Sequence, residues 1–145
     1  MADVKQTAEK FQQSITLPND VQEVPRLNEF VDSVCEVAEL DMSTTLKLNL
    51  AIEEAVVNVM NYAYPAGTQG QVVIDAKVSD VSLEFVISDS GTPFDPTAKK
   101  EVDTTLSAEE RGIGGLGIHL VRQIMDSISY DWINGMNVLT LRKNI

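Results

Sequence analysis

The chain has 145 residues, 43% of them hydrophobic, and carries 22 acidic against 11 basic side chains, a net charge of −11. That length fits one domain with a real hydrophobic core. The acidic balance excludes a nucleic-acid backbone as the main ligand, and no apolar run approaches the roughly 18 residues of a membrane-spanning helix.

Residues 1–8 are polar and expected to fray, and Met1-Ala2-Asp3-Val4-Lys5 lacks the basic and apolar regions of a secretion signal. Phe11, Ile15 and Leu17 suggest a first strand over 11–17. Pro18-Asn19-Asp20 signals a turn and a helix start. From Val21 to Leu40 the stripe Val24, Leu27, Phe30, Val31, Val34, Val37 and Ala38 predicts a helix, with Pro25 near its start where proline is tolerated. Cys35 lies in that stripe. As the single cysteine it has no partner for an internal disulfide, and core packing is its expected role. With no signal peptide and no disulfide, a cytoplasmic location is expected. The helix's outer face carries Glu23, Glu29, Asp32, Glu36 and Glu39, either a solvated face or an acidic docking surface.

Asp41-Met42-Ser43 separates this helix from a second one over 43–62, whose core face is expected to include Leu46, Leu50, Val57 and Met60. Glu54 and Asn58 are four apart and project from one side, with Asn61 extending the line. Spacing alone leaves two readings, a solvated face or a functional acid–amide pair. Pro65-Ala66-Gly67-Thr68 and Gly70 form a loop. Residues 71–78 (Val72, Ile74, Ala76, Val78) and 82–88 (Leu83, Phe85, Ile87) alternate as an antiparallel hairpin. The second of these strands runs into Asp89-Ser90-Gly91-Thr92-Pro93-Phe94-Asp95-Pro96. An acid followed two residues later by glycine can hold an exocyclic amine while a flat ring approaches the backbone. The same residue types also favour an ordinary turn.

Residues 97–110 are polar and aperiodic, and a lid over a ligand is the natural hypothesis. Four glycines follow within six residues, Gly112, Gly114, Gly115 and Gly117, and Leu116, Leu120, Val121, Ile124 and Met125 then recur at helical spacing. A glycine-rich loop opening into a helix suits a phosphate; a flexible surface loop is the plainer reading. The letters match a dinucleotide fingerprint, but the preceding residues are polar rather than strand-like and no parallel crossover follows. His119 is expected to pack or face solvent rather than bind metal, because no second histidine exists. Residues 127–133 and 137–142 around Asn134-Gly135 predict a closing hairpin, with Trp132 as a sheet-face anchor.

Three elements fall in a recognisable order. Glu54-Ala55-Val56-Val57-Asn58 resembles the N box of the histidine-kinase-like (GHKL, Bergerat-fold) ATPases. Asp89-Ser90-Gly91 with Pro93-Phe94-Asp95-Pro96 resembles their G1 box, and Gly112-Ile113-Gly114-Gly115-Leu116-Gly117 their G2 box. The short chain, the leading helix, Tyr62-Ala63-Tyr64 and the terminal hairpin resemble most the anti-sigma-factor serine-protein kinases of the RsbW type. The resemblance implies an α/β two-layer sandwich, a mixed, mostly antiparallel sheet with three main helices on one face, as a single domain over 1–145 with an ATP lid over 95–114. It implies ATP and magnesium as cofactors, with Asn58 coordinating the magnesium and Glu54 as the general base. Asp89 would hold the adenine amino group, with Gly91 and Phe94 beside the ring. Gly115, Leu116 and Gly117 would bind phosphates, Gly112 and Gly114 would serve as lid hinges, and Arg111 would reach the γ-phosphate. Several relatives carry that arginine nearer the glycines, where this chain has Ile113, and Tyr62 stands where a histidine is often found. The implied partners are an RNA-polymerase sigma factor, a STAS-type antagonist phosphorylated on serine, and a second copy of the chain, with neither nucleic acid nor membrane bound directly. The alternative is a non-catalytic ATP-binding switch that sequesters a partner.

Overall fold

The structure is a computed structural model and describes residues 9–98 and 115–145, the side chains of residues 9, 10 and 115–117 excepted. Five strands form one sheet: β1 (Glu9–Pro18), β2 (Gln71–Ser79), β3 (Ser82–Asp89), β4 (Ser127–Ile133) and β5 (Met136–Asn144), in the spatial order β1-β2-β3-β5-β4. Every pairing is antiparallel. Three helices, α1 (Val24–Val37), α2 (Met42–Tyr62) and α3 (Gly115–Ile124), make the second layer of this α/β sandwich. No described helix is long and apolar enough to cross a membrane.

The two layers meet because each strand alternates. Val72, Ile74, Ala76 and Val78 of β2 and Leu83, Phe85 and Ile87 of β3 are buried towards the helices, while residues between them are less covered. Register carries that face across the sheet: Ile74 opposes Ile87, which opposes Leu139. From the helices, Leu27, Val31 and Val34 of α1, Leu48, Ile52 and Val56 of α2, and Ile118 and Val121 of α3 fill the interior. Truncating one of the leucines or isoleucines to alanine would cost about 2–5 kcal/mol.

Local signals set the element ends. Asp20 caps a 3-10 turn, Val21–Glu23, by accepting from the Gln22 N–H, so the expected helix over 21–40 begins as that turn and becomes α-helical at Val24. Pro25 lies in the first turn of α1. The helix ends where Glu39 turns to a positive φ of 58° and the Leu40 N–H reaches back to the Cys35 carbonyl. Asp41 then caps α2 through the Thr44 N–H at 2.7 Å. The Asn134-Gly135 pair, both at positive φ, makes the tight turn between β4 and β5.

Two packing expectations are corrected. Leu46 and Leu50 are 63% and 44% exposed and do not belong to the core face of α2; Val57 is half-buried, and only Met60 of the four is buried. The buried face is instead Leu48, Ala51, Ile52, Ala55, Val56 and Val59. The helix is apolar around most of its circumference, so spacing alone offered two overlapping stripes. Trp132 is 45% exposed rather than a face anchor, since β4 is an edge strand. Cys35 is buried as expected, and burial pushes its thiol up to about 11, out of the range of a reactive thiolate.

Candidate functional site

The site is assembled where β3, the middle strand, ends against the C-terminus of α2. Asp89 is the last residue of β3 and its alternation points it inward with Leu83, Phe85 and Ile87. It is 1% exposed. Across the ladder its partner is Asn137 of β5, which is also buried. Asn137 Nδ2 donates to Asp89 Oδ1 at 2.9 Å and to the Thr92 carbonyl at 2.8 Å. Its Oδ1 accepts from the Phe94 N–H at 2.8 Å and from the Tyr130 hydroxyl at 2.5 Å. All four hydrogen-bonding positions of that amide are used, which sets its orientation. Burial pushes the Tyr130 hydroxyl up, so it stays a donor.

Asp89 Oδ1 also accepts from the Gly91 N–H at 2.8 Å. Its other oxygen, Oδ2, is buried without a partner. Burial raises the carboxyl's pKa, and the bonds from Asn137 and Gly91 only partly oppose this. A buried acceptor without a donor costs on the order of 1–3 kcal/mol, so this oxygen is suited to a ligand that brings an N–H.

The turn after Asp89 is stitched to α2. Thr92 donates to the Ala63 carbonyl through its N–H at 2.7 Å and its hydroxyl at 3.0 Å. A Cβ at Gly91 would overlap that same carbonyl oxygen. Glycine is therefore required here by the approach of α2, a reason additional to the passage of a flat ring. The Tyr64 hydroxyl accepts from the Ser90 N–H at 3.2 Å and donates to the Gln71 carbonyl at 2.7 Å. Tyr62, the last residue of α2, stacks on Phe94 with ring centroids 5.5 Å apart.

Asn58 lies four residues before Tyr62 on α2, is 4% exposed, and its Nδ2 is buried with no hydrogen-bond partner. A half-turn of the amide would put its oxygen at that position, making a hard-cation ligand. No group of three or more His, Cys, Asp or Glu able to hold a metal occurs among the described residues. A magnesium ion held by one side chain and otherwise by phosphates fits this donor set. Glu54 is half-buried one turn earlier on α2. The polar side of α2 thus presents Glu54, Asn58 and exposed Asn61 in line.

The described part of the G2 element is the helix itself. α3 starts at Gly115, so its first N–H groups lie at Gly115, Leu116 and Gly117. Arg111, Gly112 and Gly114, and residues 99–110 of the expected lid, lie outside the described residues. Asp95 and the 3-10 turn Pro96–Ala98 lead towards them, and Arg122 of α3 donates to the Thr97 carbonyl at 2.6 Å. His119 is half-buried. A recess of about 1010 Å³ beside the C-terminus of α2 is lined by Asn61, Tyr64 and the 65–70 loop; Asn58, Asp89 and Asn137 do not line it.

Sequence reasoning named Asp89, Gly91 and Phe94, which the structure holds near one another through Asn137. It missed Asn137 and Tyr130. A signal was available: counting inward from the Asn134-Gly135 turn puts Asn137 on the same face as Leu139 and Leu141, a polar residue in a core register.

The chain belongs to the histidine kinase-like ATPase domain family, whose pattern matches residues 17–143. It is similar to the serine-protein kinase RsbW of Listeria monocytogenes, 32% identical over 96 residues covering 63% of this chain and 61% of the relative. The RsbW of Bacillus pumilus is 30% identical over 97 residues, 63% of this chain and 60% of the relative. The serine/threonine-protein kinase BtrW of Bordetella bronchiseptica is 29% identical over 94 residues, 65% and 66% respectively. The match to the first of these spans about three fifths of the relative's length, 61%.

Proposed function

We propose that the chain is an ATP- and magnesium-dependent serine-protein kinase, acting as a cytoplasmic anti-sigma regulator that phosphorylates a STAS-type antagonist. The observation that carries this reading is the pair of buried, partnerless polar atoms, Asp89 Oδ2 and Asn58 Nδ2, in the two motifs that resemble the G1 and N boxes, in a chain of an ATPase family. The names of the similar proteins, serine-protein kinases, support the transfer step.

In this reading Asp89 accepts a hydrogen bond from the adenine amino group, with Gly91 and Phe94 beside the ring. Asn58 holds the magnesium, which when bound neutralises charge on the phosphates. The N–H groups of Gly115, Leu116 and Gly117 at the start of α3 receive phosphate oxygens. Gly112 and Gly114 act as hinges of a lid over 95–114, and Arg111 contacts the γ-phosphate. Glu54 takes the proton of the acceptor serine as its oxygen bonds to the γ-phosphorus. The bond from that phosphorus to the β,γ-bridging oxygen breaks, and ADP leaves with the electron pair. A homodimer and a sigma factor as the second partner complete the proposal on the strength of the resemblance.

Calorimetry with magnesium and ATP, followed by radiolabel transfer to a STAS-type acceptor, tests it. Glu54→Ala is expected to lower the transfer rate by about 10²–10⁴ while leaving ATP affinity and melting temperature near the wild-type values. No binding at millimolar ATP defeats the reading. Binding without transfer leaves the non-catalytic switch.

A further inference from the structure

α2 buries one apolar stripe and leaves another bare. Met42, Leu46 and Leu50 are 87%, 63% and 44% exposed, and they recur every four residues. The next step of that spacing is Glu54, the proposed general base, and half-buried Val57 lies beside it. At about 1.5 Å rise per residue the ridge extends roughly 18 Å along the helix from Met42 to Glu54. Contiguous exposed apolar side chains on a folded domain mark interaction sites more often than scattered ones do.

α1 does not cover the ridge. The α1–α2 seam is closed by polar bonds: Asn49 Nδ2 donates to Asp32 Oδ1 at 2.8 Å, and Asn28 Nδ2 donates to Asn49 Oδ1 at 3.1 Å and to Glu53 Oε1 at 3.3 Å. The carboxylates of Asp32 and Glu53 border the ridge on its α1 side, and exposed Glu36 lies one turn on from Asp32 along α1. A second copy would bring this acidic border, on a chain of net charge −11, towards another like it. An occupant with an apolar strip rimmed by lysine or arginine is the complementary one.

We propose that the Met42–Leu46–Leu50 ridge is the docking strip for the phosphoacceptor protein, which lays an apolar, basic-rimmed surface along it and so presents its serine at Glu54. The proposal rests on the kinase reading above and adds where the protein substrate binds. The ridge supplies binding that does not change between ground and transition states, so its loss appears in the acceptor's KM rather than in kcat.

The test uses the full chain and a STAS-type acceptor that the wild type phosphorylates, titrated at saturating ATP. The double variant Leu46→Asp/Leu50→Asp is expected to raise the acceptor KM by at least about 10-fold, with kcat and the ATP Kd unchanged. Leu46→Met/Leu50→Met is expected to keep the wild-type KM. An unchanged acceptor KM in the aspartate variant overturns the docking strip while the kinase reading stands. So does an altered ATP Kd or an altered oligomeric state without a KM change, because the ridge would then serve the chain itself or a second copy. A wild type that transfers to no STAS-type acceptor removes the kinase reading and the docking strip together.

Discussion

The Asp89 end and the Glu54 end of the site are built differently. At the Asp89 end, β3, β5, β4, the following turn and the end of α2 are joined by hydrogen bonds through Asn137, Tyr130, Thr92 and Ala63. At the Glu54 end, the side chains stand on one helix, with Glu54 half-buried, Asn58 buried and Asn61 exposed. One end is part of what holds the layers together, and the other can be altered with little effect on folding. Changes at the first should therefore appear in stability and ligand affinity together, and changes at the second in activity or binding alone.

The largest structural effect is expected from Asn137→Ala. It removes four hydrogen bonds and leaves Asp89 less satisfied, so unfolding in urea should show a loss of about 3 kcal/mol, with ATP affinity falling in parallel. A variant that loses affinity at unchanged stability would break the comparison. Gly91→Ala comes next, since a methyl there must displace the Ala63 carbonyl. A loss of about 1–3 kcal/mol is expected, and a neutral result would mean that α2 and the turn can separate without cost. The same measurement on Glu54→Ala should move stability by less than about 0.5 kcal/mol.

The smallest effect is a pH dependence at Asp89. Its folded-state pKa is raised by burial above the ordinary 3.8, so the folded protein holds this proton more tightly than the unfolded chain. The contribution is fully present below the unfolded value and is lost as pH rises through the folded one. Asp89→Asn retains an oxygen for the Asn137 and Gly91 bonds and has no charge to bury. Its stability relative to wild type should therefore increase from about pH 4 towards neutrality, while its ATP binding is lost. Paired thermal melts across that range check the sign, and a gap that shrinks with rising pH would show that the buried carboxylate is stabilised by its partners after all.

Much of this fold was legible because its signals are local. Alternation marked β2 and β3, Asn134-Gly135 marked the closing turn, and Asp41 marked the break between α1 and α2. The site was legible to the extent that it lies in short contiguous motifs: Glu54 with Asn58, Asp89 with Gly91. Asn137 was not read because its role depends on a partner 48 positions away across a ladder. The sequence by itself determined the kind and order of the strands and helices, the acid–glycine turn and the order of the three motifs, since each follows from residues near in the chain. Only the tertiary structure decided which stripe of α2 is buried, that Gly91 is hemmed in by Ala63, and that Asn137 holds Asp89. Each of these depends on what lies opposite, and a periodic pattern cannot specify which neighbour will cover it.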